Sequence, residues 1–287
     1  MGQRFDPRVY QIASLLGLLG YGMGVRGFDV TPGRAAFLLA SCLTVQYLLE
    51  RIAGLPRFEP KSALISGLSL CLLLRTSSWT LALLTAVLTI ASKFVFRVRG
   101  KHVFNPTNFG LVSMLAVTGQ VWASPGQWGS AALLAFLIVC AGGLVVNRAA
   151  RSDVSYAFLL IWGGVVSWRA VWLGDPWTIP LHQLESGALL LFSFFMISDP
   201  KTTPDSRSGR ILFAALVAAL AYYVQFKLFR PNGLLWSLAA TSLLVPLIDR
   251  LLPGPRYDWS RPRSKEGRSH APTLAALDAL PVLPAQA

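Results

Sequence analysis

Two stretches of this 287-residue chain carry amide, hydroxyl and carboxylate groups into otherwise apolar surroundings. The first runs His102-Val103-Phe104-Asn105-Pro106-Thr107-Asn108-Phe109-Gly110. Asn-Pro breaks a helix as the chain enters an apolar run, because proline lacks an N–H and restricts the residue before it. Asn108 then takes a carboxamide into that run, and a buried amide needs partners from the protein or from a ligand. The second stretch runs from Phe194 to Asp205 and contains Ser198-Asp199-Pro200-Lys201-Thr202-Thr203. Asp before Pro, with two threonines following, makes a structured turn rich in oxygen groups; an ordinary connection after a helix C-terminus reads equally well. The chemistry on offer is binding. Phosphate loop, nucleophile elbow, HExxH motif and haem-type histidine pair are all missing from the sequence, and His102, His182 and His270 are too scattered for a metal site. The candidate residues are therefore ligand-holding ones: Asn105, Pro106, Thr107, Asn108, Ser198, Asp199, Pro200, Lys201, Thr202 and Thr203. No catalytic residue and no metal ligand is assigned.

The elements that must position these groups are written for lipid. Only 14% of residues are charged, against roughly 25% in a soluble domain. The apolar share is 54% and the mean hydropathy is +0.53. A net charge of +13 could mean nucleic acid, but the basic residues sit in short runs between apolar segments, so nucleic acid is excluded as a partner. Cutting the chain at its charges leaves ten apolar windows: 9–25, 35–49, 62–74, 76–92, 103–122, 129–147, 154–173, 186–198, 211–226 and 231–248. Ser124-Pro125-Gly126 supplies the turn between the fifth and sixth. With the N-terminus inside, Lys and Arg divide twenty to five in favour of the inner side, with Arg169 inside a span. Both termini are then cytoplasmic and the chain is integral to the cell (inner) membrane. The first window is expected to be a span and not a cleaved leader. Arg169 should snorkel to the outer interface. Glu50-Arg51 and Asp249-Arg250 read as interfacial charge pairs. Cys42, Cys71 and Cys140 read as buried small side chains. Residues 1–252 form the membrane domain, and residues 253–287 read as a juxtamembrane anchor followed by a disordered cytoplasmic tail.

The fold class expected is an all-α integral membrane protein of about ten helices in two repeats, about 1–125 and 126–252. The third and eighth windows are both short, and both begin on Ser-Gly, at Ser66-Gly67 and Ser186-Gly187. Phe104-Asn105-Pro106 is matched by Phe229-Arg230-Pro231 at a similar offset. Five spans per half is odd, so the second half enters from the opposite side as an inverted repeat, whose short or broken helices meet near the midplane.

Phe-Asn-Pro in the fifth window and a Phe-x-Met-x-[Ser/Thr]-Asp-Pro turn after the eighth, Phe194-Phe195-Met196-Ile197-Ser198-Asp199-Pro200, resemble the RnfD/NqrB membrane subunits. These belong to the Rnf electron-transport complex and to the sodium-translocating NADH:quinone reductase. The resemblance implies a fold akin to urea transporters, with inverted five-helix repeats, partner redox subunits or quinone, and flavin. Such subunits carry FMN on a threonine of a Ser-Gly-Ala-Thr type motif, and riboflavin is associated with them. This chain reads Thr118-Gly119-Gln120-Val121-Trp122-Ala123-Ser124-Pro125-Gly126 at that place, with no Gly-Ala-Thr. Covalent FMN is accordingly not expected, and a non-covalent flavin (riboflavin or FMN) is. The chain is similar to short stand-alone members of the family, some of the UnbU type. Three function classes stay open: electron transfer around a flavin or quinone held between the halves, passage of a small solute through the same interface, and a non-catalytic scaffold subunit.

Overall fold

Helix starts are set by capping residues and prolines. In a computed structural model, which describes residues 6–123 and 132–257, α1 (Pro7–Gly24) begins on Asp6 and α2 (Pro32–Ile52) on Thr31. The next two are α3 (Pro60–Leu73) and α4 (Trp79–Val95), the latter capped by Ser78. Asn105 caps α5 (Pro106–Val117) through its side-chain oxygen, 3.0 Å from the Asn108 N–H. Each cap accepts a bond from a first-turn N–H that apolar surroundings would leave unpaired. Proline in the first turn of α1, α2, α3 and α5 removes one such donor altogether.

The second half holds α6 (Ala132–Arg148), α7 (Ser152–Leu173), α8 (Thr178–Leu184), α9 (Gly187–Leu191), α10 (Arg207–Tyr222), α11 (Gly233–Ser242) and α12 (Val245–Leu251). Two of these run on as π-helical turns, α9 into Phe192–Met196 and α10 into Tyr223–Lys227. Four two-residue strands complete the set: β1 (Leu74–Arg75), β2 (Arg97–Val98), β3 (Lys101–His102) and β4 (Trp122–Ala123). β1 pairs antiparallel with β4, and β2 with β3.

This is a helical multi-pass membrane protein. Pro32–Ile52, Ser152–Leu173 and the continuous Arg207–Lys227 are 21 to 22 residues long and apolar enough to cross a membrane, about 30 Å at 1.5 Å per residue. Two bent pairs, Thr178–Leu184 with Gly187–Met196 at 43° and Gly233–Ser242 with Val245–Leu251 at 52°, bring the number to five if each is one broken span. The remaining apolar helices are shorter. The eighth window is thus the second piece of a bent pair whose first piece, α8, falls where the sequence reads as loop. The tenth window bends at Leu243–Leu244 instead of running straight. The fifth helix stops at Val117, five residues short of its window, and its chain turns at Gly119–Gln120 into β4. That strand satisfies the backbone of β1, where α3 also ends early.

Packing follows a recurring order. In the first half α1 lies on α3, α2 on α3 and α4, and α4 on α5. In the second, α6 lies on α9 and the Phe192–Met196 turn, α7 on that turn and α10, and α10 on α11. The halves meet where α1 touches α6 and α5 touches α11. Close approach needs glycine. A Cβ on Gly110 of α5 would fall 2.0 Å from Thr89 Oγ1 and 3.0 Å from the Thr85 carbonyl oxygen of α4.

One end of the bundle is tied by charge. Arg8 binds Asp6 and Glu59 (2.8 and 2.7 Å), Lys61 binds Asp6 (2.9 Å), and Lys101 bridges Asp205 and Asp249 (3.0 and 2.6 Å). Arg210 holds Asp153 through Nε at 2.8 Å. These contacts join the segments that the positive-inside count places on one side. The expected neighbour pairs are replaced: Glu50 accepts from Gln46 (2.6 Å) and from the Glu59 N–H (3.2 Å), and Asp249 goes to Lys101. A carboxylate at a helix end turns toward donors inside the bundle, since the adjacent arginine on the same turn points elsewhere. Arg169 reaches Asp175 at 3.6 Å and lies over Phe226. Cys42 and Cys71 are buried, whereas Cys140 is exposed on the outer face of α6, where lipid covers a small thiol as readily as protein does. The turn at Ser124–Gly126 and the chain beyond Tyr257 lie outside the described residues. Pro253–Tyr257 folds back, with the Arg151 guanidinium 4.8 Å from the Tyr257 ring.

Candidate functional site

The Asn105–Asn108 block sits where the halves meet. Asn105 is 7% exposed, and its Nδ2 donates to the Met196 carbonyl oxygen at 3.2 Å. This ties the start of α5 to the end of the π-helical turn Phe192–Met196. Asn108, 1% exposed, donates from Nδ2 to the Leu235 carbonyl oxygen of α11 at 3.1 Å. Thr107 donates to the Ser66 carbonyl oxygen of α3 at 3.5 Å, and Pro106 is buried in the same first turn. One group is left over: Asn108 Oδ1 is buried with no hydrogen-bond partner among the described residues. An unfilled buried acceptor costs about 1–3 kcal/mol, so such an atom is a standing request for a donor. Thr89 Oγ1, against Gly110, is orphaned in the same way.

The second block is a turn folded on itself. The Asp199 carbonyl oxygen accepts from the N–H groups of Thr202 and Thr203, both at 3.1 Å, and the Asp199 carboxylate accepts from the Lys201 N–H at 3.0 Å. Ser198 donates to the Phe194 carbonyl oxygen at 2.6 Å, and Thr203 Oγ1 accepts from Arg151 Nε at 3.2 Å. Pro200 is buried within the turn. Burial pushes the Asp199 carboxyl above its ordinary range, against the pull of the Lys201 N–H and of Lys93, Lys201 and Arg151. The two blocks therefore meet through the Asn105 Nδ2 bond to the Met196 carbonyl oxygen, and among the described residues no side chain of one bonds a side chain of the other. In the first block the amides face across the halves. In the second the hydroxyls are satisfied inside the turn, which serves to end the π-helical turn and fix its carbonyls. Inserting a residue into a helix, as a π turn does, frees backbone groups and recurs at functional sites.

Sequence reasoning passed over one buried polar group nearby. Lys93, 3% exposed, donates to the Ser62 carbonyl oxygen (3.0 Å), to Ser62 Oγ (3.1 Å) and to Gln46 Oε1 (3.4 Å), with Glu50 beyond Gln46. Its signal was the Gln46-x-x-x-Glu50 spacing facing a lysine at the end of an apolar run. His102 is also covered. Burial, with Arg97, Lys93 and Lys201 around it, holds its imidazole down at about 4, so it is neutral at pH 7. Among the described residues no group of His, Cys, Asp and Glu could hold a metal ion.

An acceptor lacking a donor fits one part of a flavin, the imide N–H of the ring, and it fits a quinol hydroxyl; an oxidised quinone offers only acceptors. Asn108 is the residue that would hold that N–H, with Asn105 and Thr107 fixing the turn from which it projects.

Comparison with known proteins adds the family. The sequence profile of the NQR2, RnfD, RnfE family matches residues 117–257. Among curated proteins, the chain is 34% identical over 143 residues to the D component of the ion-translocating oxidoreductase complex of Klebsiella pneumoniae (strain 342), covering 48% of this chain and 39% of that protein. It is 32% identical over 138 residues to the same component from Yersinia pseudotuberculosis serotype O:1b (strain IP 31758), 46% of this chain and 37% of that one. With the corresponding protein of Tolumonas auensis it shares 39% over 72 residues, 25% and 21% of the two chains. The chain spans about two fifths of the length of the first of these relatives. The profile begins after the Asn105–Asn108 block and includes the Ser198–Thr203 turn. Through residues 117–257, this chain is similar to the NQR2, RnfD, RnfE family.

Proposed function

We propose that the protein is a membrane component of an ion-translocating oxidoreductase complex, passing electrons by way of a non-covalent flavin, or a quinone, held between its two halves. The observation that carries this reading is the orphaned Asn108 oxygen at the α5–α11 contact, buried and without a donor. The family relation supports it, since the relatives named are components of such a complex. The cofactor supplies the redox chemistry when bound. The chain's own residues do the rest: Asn108 accepts a hydrogen bond, Asn105 pins the α5 start to Met196, and the Asp199 turn holds the end of the π-helical segment.

The same reading takes residues 1–252 as ten helical elements in two inverted repeats of five, in the inner membrane with both ends cytoplasmic, and residues 253–287 as a tail. The matched packing order of the two halves supports it, as does the gathering of alternate connections at one charged end. Absence of a Gly-Ala-Thr motif supports non-covalent attachment. A second reading, passage of a small solute, has the buried Lys93–Ser62 and Thr107–Ser66 contacts in its favour. The test is absorbance of protein purified in detergent, before and after acid precipitation. Flavin in the supernatant supports the proposal, flavin in the pellet overturns non-covalent attachment, and no flavin in intact protein removes the flavin reading.

A further inference from the structure

A cavity of about 460 Å³ opens at the charged end, between the β2–β3 hairpin, α12 and the Pro253–Arg256 segment. Its lining includes Lys101, Asp205 and Asp249, which pair with one another: Lys101 Nζ lies 3.0 Å from Asp205 and 2.6 Å from Asp249. Asp249 also accepts from the Asp205 N–H at 2.7 Å. Three further cations line the same cavity, Arg99, Arg250 and Arg256, and none has an ion-pair or hydrogen-bond partner among the described residues. His102, neutral at pH 7, adds no charge but leaves a buried Nδ1 without a partner. Four cations thus face two carboxylates in the cavity lining, and the three guanidinium groups are the ones without a partner among the described residues.

The hairpin adds a second observation. Arg99 and Gly100 form its two-residue turn with φ values of +51° and +79°. Such turns need positive φ at both central positions, and Asn, Asp or Gly is the usual first residue. An arginine held there is a backbone outlier at the rim of a cationic cavity, and outliers of this kind mark functional positions. The third observation is apolar. On the adjoining α12 and the bend before it, Leu243, Leu247 and Leu251 are 61%, 53% and 69% exposed. Leu247 and Leu251, at i and i+4, share one face of the helix that carries Arg250, and Leu243 stands at the bend before it.

We propose that this cavity binds the phosphate of an anionic phospholipid, with Arg99, Arg250 and Arg256 around the headgroup and the acyl chains along Leu243, Leu247 and Leu251. Guanidinium forks match phosphate oxygens in pairs. Basic pockets at the ends of membrane helices bind anionic headgroups by this means. A soluble phosphate would use the arginines but not the leucines, and a zwitterionic lipid would use the leucines while presenting its own ammonium to the arginines.

The test is native mass spectrometry of the full chain in neutral detergent, titrated with phosphatidylglycerol, with phosphatidylcholine, and with inorganic phosphate. The wild type should retain phosphatidylglycerol at least about tenfold more strongly than phosphatidylcholine, the scale of a few charge contacts at a lipid surface. The triple variant R99Q/R250Q/R256Q should lose that preference. The control R26Q/R230Q, altered at exposed arginines of the opposite end, should keep it. Leu247→Ser should weaken phosphatidylglycerol without altering phosphate binding. Equal retention of the two lipids overturns the proposal. So does a triple variant that keeps the preference while the control behaves as wild type. Saturable binding of inorganic phosphate that phosphatidylglycerol does not displace would assign the cavity to a soluble phosphate and equally overturn it.

Discussion

Replacing Lys101 with methionine should loosen the clamp between the halves. Lys101 belongs to the hairpin after α4, while Asp205 precedes α10 and Asp249 lies in α12, so one ammonium holds three segments together. At an effective dielectric constant of 20, Coulomb's law assigns about 5–6 kcal/mol to each contact. Desolvation of the three groups cancels most of this. Their side chains keep only 10% to 18% of their exposure, so the pair is closer to the buried case than to a surface bridge. Lys101→Met leaves two carboxylates facing each other, and the net loss expected is about 2–3 kcal/mol. For a chain of this size that is a fall in apparent melting temperature of roughly 5–10 °C. The assay is thermal unfolding in detergent at fixed ionic strength. Adding D205N and D249N to the variant should restore most of the loss, because asparagine keeps the Asp249 acceptor for the Asp205 N–H. A single variant within about 1 °C of wild type, or a triple variant no better than the single, would refute the reasoning.

Gly110→Ala should cost about 1–3 kcal/mol by forcing α5 away from Thr85 and Thr89 of α4, whereas Gly143→Ala, with open space around its Cβ, should cost nothing; equal melting temperatures for the two would contradict the close approach. His102 gives a pH signature. Its folded value of about 4 lies below the ordinary 6.5, so the fold binds fewer protons there than the unfolded chain. Its stabilising contribution is complete above pH 6.5 and is lost as the pH falls toward 4. The stability of wild type relative to His102→Gln should therefore drop on acidification from pH 7 to 4, by up to about 3 kcal/mol. The opposing slope from Asp199 is common to both proteins and cancels. A pH-independent difference between them would count against the buried, cation-ringed imidazole.

Much of this architecture is readable from charge and proline. Each of the ten apolar windows contains a helix, and Pro7, Pro32, Pro60 and Pro106 start four of them. The Asn105 cap and the Asp199 turn are equally local: each closes on atoms within four residues of itself. What was not readable depends on distance. The β1–β4 pairing joins two-residue pieces 48 residues apart, with no alternation long enough to signal a strand. The helix α8 hides in a segment with Pro176 and Pro180, which reads as loop. The break at Leu243–Leu244 carries no charge to mark it, and Glu185 at the other break reads as the edge of a loop and not as a bend between two helices. The preference of Asp249 for Lys101 and of Lys93 for Ser62 is tertiary, and an adjacent opposite charge in the sequence is a poor guide to it. Asn108 was singled out as a polar residue in an apolar run, but its division into one satisfied nitrogen and one orphaned oxygen could come only from the packing of α5 on α11.

The central claim is that the contact between the halves holds a non-covalent flavin through Asn108. The direct measurement is the acid-released flavin per protein for wild type and Asn108→Ala, both purified in the same detergent and both verified as folded by their melting transitions. The account predicts flavin in the wild-type supernatant and at least a tenfold lower content in the variant, about 1.4 kcal/mol for one lost hydrogen bond to a buried ring. Equal flavin in the two proteins, or none in intact wild type, would contradict it.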